Sequence, residues 1–107
     1  MATIEDFMNL EFKIGEIKEA KEHSNADRLF VLKVNVGEEE DRQLVAGIRQ
    51  SYSAEELVGK KVVMVANLES ATIRGEESQG MILAASSEDG PILLSPEKDV
   101  PLGSPVK

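Results

Sequence analysis

The chain has 107 residues, no cysteine, one histidine and a formal net charge of −8. That length accommodates one domain, and the missing cysteines exclude disulfides, thiolate metal sites and cysteine nucleophiles, while a lone His23 excludes metal sites needing two imidazoles. Twenty acidic residues against twelve basic ones argue against nucleic acid as a partner, because phosphate binding draws on Lys and Arg, unless the acids lie away from a basic face.

Thr3-Ile4-Glu5-Asp6 predicts a short helix, with Thr3 as N-cap, acids in the first turn, and Ile4, Phe7 and Met8 on one face. Phe12 to Ile14 alternates like a strand, Gly15 interrupts it and Ile17 to Ala20 resumes, which predicts a bulge or sharp bend. Leu29 to Val36 is the clearest strand, with Phe30, Leu32, Val34 and Val36 on one face and Lys33 and Asn35 on the other. Gly37 and the acidic Glu38 to Asp41 make a hairpin turn, and Gln43 to Ile48 returns with Leu44, Ala46 and Ile48 facing inward. Ser53 and Glu56 have the spacing of a capping box, so a second short helix runs to Gly59. Lys60 to Ala66 and Met81 to Ala85 are apolar strands, and Asp89-Gly90-Pro91 turns into Ile92-Leu93-Leu94. The tail, with Pro96, Pro101 and Pro105, is predicted to be extended and irregular.

These elements predict one all-β domain with small helices: residues 1–10 an N-terminal helix, 11–86 a five-stranded closed barrel, 87–107 a C-terminal extension. A helix between the third and fourth strands is where an oligonucleotide/oligosaccharide-binding (OB) barrel carries one. No apolar run reaches the roughly 20 residues needed to cross a bilayer, and no signal-peptide pattern opens the chain, so a soluble, cytoplasmic domain with no membrane partner is expected. No cofactor and no catalysis are expected either: Gly59-Lys60-Lys61 lacks the upstream glycine and the following Ser/Thr of a P-loop.

Two polar stretches stand out. Arg74 to Met81 joins two apolar strands with an arginine, a serine and two glycines, and His23 to Arg28 forms a second polar turn. In chain order, Phe12-x-Ile14-Gly15-x-Ile17, His23-x-Asn25-Ala26-Asp27-x-Leu29, Val45-x-Gly47-Ile48-Arg49, Val65-Ala66-Asn67-Leu68 and Arg74-Gly75-x-x-Ser78-x-Gly80-Met81 resemble the tRNA-binding domain found at the C-terminus of many methionyl-tRNA synthetases, or as their beta subunit. The same domain occurs in free-standing structure-specific tRNA-binding proteins and in cytokine-like synthetase cofactors. The resemblance spans about residues 6 to 105, and one departure is Ser24, where the family usually has proline.

The resemblance implies an OB barrel that dimerises through its C-terminal portion and binds tRNA without reading its sequence. A chain this short that begins with Met1 best matches a detached C-terminal domain or beta subunit, whose partners are tRNA, a second copy and the catalytic part of methionyl-tRNA synthetase. Carried over residue by residue, the tRNA-binding positions are Asn25, Lys33, Arg49, Arg74, Ser78 and Met81, with Arg42 a weaker candidate.

The chemistry of each residue suits this or a plainer role. Asn25 has both a donor and an acceptor for a sugar hydroxyl or base edge, or for its own turn. Arg49 and Arg74 present guanidinium forks that grip phosphate or stack on a base. Lys33 lies on the polar face of its strand; Ser78 has a hydroxyl for phosphate, 2′-hydroxyl or its own turn. Met81 is a core residue by position and a soft platform for a base by resemblance. Gly75 and Gly80 shape the backbone, Asp27 ties its turn, His23 ends a strand, and Glu76 and Glu77 have to point away from any phosphate. A chaperone-like, peptide-binding dimer of the same family, or a pure dimerisation module, are the competing expectations.

Overall fold

The computed structural model describes all 107 residues. Helix α1 (Ile4–Met8) opens on the Thr3 N-cap, whose side chain accepts from Asp6 N–H while the Asp6 carboxylate accepts from Thr3 N–H. Strand β1 (Phe12–Glu22) follows, then β2 (Phe30–Asn35), β3 (Arg42–Ala46), helix α2 (Ala54–Leu57) and β4 (Lys61–Val65). The remaining strands are short: β5 (Ala71–Ile73), β6 (Glu76–Ser78), β7 (Met81–Ile82), β8 (Ala84–Ser87), β9 (Gly90–Leu93) and β10 (Pro105–Val106).

Antiparallel pairing orders the main sheet β3-β2-β1-β4-β7, with β10 added to β1. The sheet curls into a nearly closed barrel of OB type, with α2 between β3 and β4 as expected. Its seam lies between β3 and the β6–β7 segment: Gln79 N–H donates to Gln43 O at 2.8 Å, Gln43 N–H to Gln79 Oε1 at 2.9 Å, and Val45 N–H to Ser78 Oγ at 3.0 Å. The core is the inward row predicted from period two, Phe30, Leu32, Val34 and Val36 with Leu44, Ala46 and Ile48, joined by Ile17, Leu57, Val62, Met64 and Ala66.

Three expectations need correction. β1 runs unbroken through Gly15, and its register shift comes later, between Ile17 and Glu19. Gly15 is there for close approach, since a Cβ would stand 2.6 Å from Val34 Cγ1 and 3.2 Å from Asn35 O. The strand expected over Met81 to Ala85 divides into β7 and β8, and Leu83 between them donates its N–H to Val63 O. The tail is not wholly irregular, because Pro105–Val106 pairs with Phe12 and Lys13 of β1.

Candidate nucleic-acid interface

Strands β5 and β6 form a hairpin whose two-residue turn is Arg74-Gly75, with Ile73 paired to Glu76. Both turn residues have positive φ, 54° and 91°, the combination of a type I′ turn that matches strand twist. Glycine fits the second place at no steric cost. Arg74 is the only non-glycine residue with positive φ, in a position where asparagine or glycine is usual.

The hairpin tip reaches the turn that follows β1. Arg74 Nη2 donates to Asn25 O at 3.1 Å. From a third segment, Arg49 Nη1 donates to Ala26 O at 3.4 Å. Two arginines from separate loops therefore sit on consecutive carbonyls of one turn, and the exposed Arg28 lies in that turn as well. Arg49 N–H donates to Arg28 O, and the Arg49 guanidinium lies 5.7 Å from the centre of the Phe30 ring. Arg28, Arg49, Asp27 and Gln50 line a shallow polar hollow. The acids here are Asp27, which is exposed, and Glu22, whose carboxylate lies 2.9 Å from Arg49 Nη2 with its side chain 67% exposed.

Beneath this surface lies His23, only 4% exposed. Its Nδ1 accepts from Asn25 N–H at 2.9 Å, and its Nε2 lies 3.2 Å from Ile73 O. Sequence reasoning left this imidazole without a role beyond ending a strand. The spacing His23-x-Asn25 carries a local side-chain-to-backbone turn, but the bond to Ile73 spans 50 residues and has no local sign.

Lys33 is half-buried on the outer face of β2, paired with Glu19 and Gln43 across the sheet, and its Nζ donates to Gln43 Oε1 at 3.0 Å. Gln43 Nε2 in turn donates to Glu77 O at 2.9 Å and to Glu76 Oε1 at 3.4 Å, so Lys33 is linked to the β6 strand of the hairpin. Glu76 is thus turned onto the barrel, while Glu77 is exposed on the other hairpin face. Met81 opens β7 at 47% exposure, opposite Val65, and the methionine buried in the core is Met64.

Two expected contacts are corrected. Ser78 is 2% exposed; its Oγ accepts from Val45 N–H and donates to Gly80 O at 2.9 Å, so the hydroxyl closes the barrel seam and is unavailable to a ligand. Arg42 is held as a strap: Nε and Nη2 donate to Glu38 at 2.9 and 2.7 Å, and Nη1 to the carbonyls of Ala66 and Gln79. That hydrogen bond holds the Glu38 carboxyl below its ordinary value and raises Arg42 further. Asn25, Arg49 and Arg74 come together; Lys33 reaches, through Gln43, only Glu76 and Glu77 of the hairpin, and Arg42 belongs to the seam.

A family profile described as "Putative tRNA binding domain" matches residues 12–105. Methionine–tRNA ligase of Pyrococcus horikoshii is 50% identical over 103 residues, which is 96% of this chain and 14% of the relative. That of Methanococcus aeolicus is also 50% identical over 103 residues, 15% of its length. The chain therefore spans about one seventh of the curated relatives it matches. Among solved structures, a MetRS-related protein from Pyrococcus horikoshii superposes with a TM-score of 0.90 at 35% identity, covering 100% of this chain and 98% of its own. The chaperone CsaA of Bacillus anthracis gives 0.90 at 29% identity, covering 100% and 99%.

Proposed function

The chain belongs to the tRNA-binding domain family, and from that premise we propose that it captures folded tRNA by shape and charge, without reading its sequence and without chemistry of its own. It works as a homodimeric auxiliary domain or beta subunit of methionyl-tRNA synthetase in the cytoplasm, raising the affinity of the synthetase for tRNA. The observation that carries this reading is the convergence of Arg49 and Arg74 on the carbonyls of Ala26 and Asn25, with Arg28 beside them. Three of the four arginines of an acidic chain gather at one end of the barrel. The Glu22 carboxylate does not block this surface. The Arg49 side chain is 23% exposed but Glu22 is 67% exposed, and a pair open to water on one side is worth about 1 kcal/mol, so a phosphate can take the place of Glu22 on Arg49 at modest cost.

In this reading Arg49 and Arg74 hold phosphate or stack on an unpaired base, Asn25 meets a sugar or base edge, Lys33 extends the positive field over the sheet, and Met81 offers an apolar rest for a base. Residues 1–10 and 87–107 form the dimer contact, and 11–86 the binding barrel. A gel-shift titration with unmodified tRNA at low and moderate salt tests the proposal; no shift at tens of micromolar would leave only a dimerisation module.

A second reading has its own support. The CsaA likeness and an apolar hollow lined by Phe7, Met8, Leu10, Phe12 and Val106 fit a dimer that holds peptides. Fluorescence titration with an unfolded apolar peptide, run beside the gel shift, separates the two by which ligand saturates.

A further inference from the structure

We propose that His23 is the positioning residue of this surface, a single imidazole that ties the Asn25 turn to the Arg74 hairpin so that both reach the ligand in one fixed arrangement. The proposal rests on the tRNA-binding reading and adds a residue that no ligand touches. At 4% exposure His23 is closed to a partner the size of RNA.

The hydrogen-bond network fixes the tautomer. Nδ1 accepts the Asn25 N–H and so carries no proton; the proton is on Nε2, which donates to Ile73 O. Both ring nitrogens are thereby used, one on each element. Ile73 is the residue before Arg74 in the hairpin turn, and Arg74 Nη2 returns to Asn25 O at 3.1 Å. Asn25 N–H, the imidazole, the Ile73 carbonyl and the Arg74 guanidinium make a closed circuit back to Asn25. Ser78 holds the base of the hairpin and Gln43 its β6 strand at Glu76 and Glu77, while the Ile73–Arg74 side of the tip is held by this circuit.

Holding the tip matters because an arginine on a free two-residue turn would have to be ordered at the moment of binding, which weakens association. Only a ring with an acceptor on one edge and a donor on the other spans the gap. Asparagine can take the Asn25 N–H in the same i to i+2 turn but is too short for Ile73 O. Glutamine puts an amide donor near the Nε2 position and leaves the Asn25 N–H without its acceptor.

The test is binding of the full chain to unmodified tRNA at fixed low salt, well below the melting temperature of every variant. His23→Ala is expected to weaken binding about five- to tenfold, the size of losing positioned hydrogen bonds. His23→Asn and His23→Gln, each keeping one of the two bonds, fall between it and the wild type. Made on an Arg74→Ala background, His23→Ala costs less than about a further twofold, because both residues act through one unit. Hydrogen exchange of the Asn25 amide is slow in the wild type and His23→Asn, and fast in His23→Gln and His23→Ala. A histidine that served stability alone would lower the melting temperature and leave the affinity of folded protein unchanged, which overturns the proposal. Losses that multiply in full between His23→Ala and Arg74→Ala overturn it as well. A wild-type chain that binds no tRNA overturns the functional reading itself, an outcome distinct from wild-type binding with an indifferent His23.

Discussion

Arg74 Nη2 donates to the carbonyl oxygen of Asn25 at 3.1 Å, across 49 residues of sequence. The bond is made from a left-handed backbone, φ 54°, which costs an ordinary residue roughly 1–2 kcal/mol relative to its preferred conformations. A turn selected for stability alone would carry asparagine or glycine there. Strain kept at an exposed arginine that bridges two loops points to the side chain as the reason for the residue.

Arg74→Gly and Arg74→Ala separate the turn from the side chain. Glycine relieves the strain but frees the unfolded chain, so stability stays within about 1 kcal/mol of wild type. Alanine keeps the strain, loses the bond to Asn25 O and is the less stable of the two. Both variants weaken tRNA binding by about 1–2 kcal/mol, the worth of one charge-assisted contact, and by a similar factor for every tRNA. Thermal melts beside filter-binding titrations check this; binding at wild-type strength by the glycine variant would remove Arg74 from the site.

Ser78 and Arg42 should show the opposite split. Ser78→Ala leaves the buried Val45 N–H without its acceptor, costing about 1–3 kcal/mol of stability. Arg42→Ala strips donors from the carbonyls of Ala66 and Gln79, with a loss of similar size, about 1–3 kcal/mol. Neither change should move tRNA affinity by more than about twofold in protein that remains folded. A tenfold loss of affinity at unchanged stability would return either residue to the interface.

The contrast between Ser78 and Arg74 marks what the sequence makes legible. Period-two apolar rows and the Thr3 and Ser53 capping boxes are local, so β1 to β4 and both helices follow from spacing. The seam is not local: Gln43 meets Gln79 and Val45 meets Ser78 only after the sheet has curled round. A serine between two glycines reads the same whether its hydroxyl faces a ligand or a strand. The pairing of Pro105–Val106 with β1 was hidden for the same reason, since two residues carry no periodicity. Arg49 and Arg74 were legible as candidates by residue type, but their meeting over the Asn25–Ala26 turn came only from the fold.

Acid should loosen the seam strap in a predictable window. The Arg42 hydrogen bond lowers the Glu38 carboxyl below its ordinary value of 4.5. A carboxyl lowered by folding binds fewer protons in the native than in the unfolded state, so its contribution is complete above the unfolded value. That contribution is lost as pH falls from about 4.5 through the lower native value. The Glu38 side chain is 37% exposed, so solvent screening keeps the contribution below about 1 kcal/mol. Glu38→Gln should flatten the acid limb of the stability curve by this amount and leave the curve between pH 6 and 8 parallel to wild type. Urea melts from about pH 7 down to about pH 3 read the difference, and an unchanged acid limb would mean the ion pair does not persist in solution.

The proposed dimer makes a prediction that also bears on affinity. Helix α1 has five residues and buries none of them, yet it carries exposed Ile4, Phe7 and Met8, and the Phe7 ring stacks on Phe12 with centroids 5.6 Å apart. A helix this short is not stable in water on propensity alone, and in the proposed dimer a second copy would cover its apolar face. Phe7→Glu would place a charge against that cover and should convert a dimer in sedimentation at micromolar concentration into a monomer. The barrel should stay folded, because its core cluster does not include Phe7. Two linked binding faces gain affinity through effective concentration, so the monomer should bind tRNA at least about tenfold more weakly while each face keeps its own salt dependence. A wild-type chain that sediments as a monomer would refute the dimer. A dimer unchanged by Phe7→Glu would move the contact away from α1.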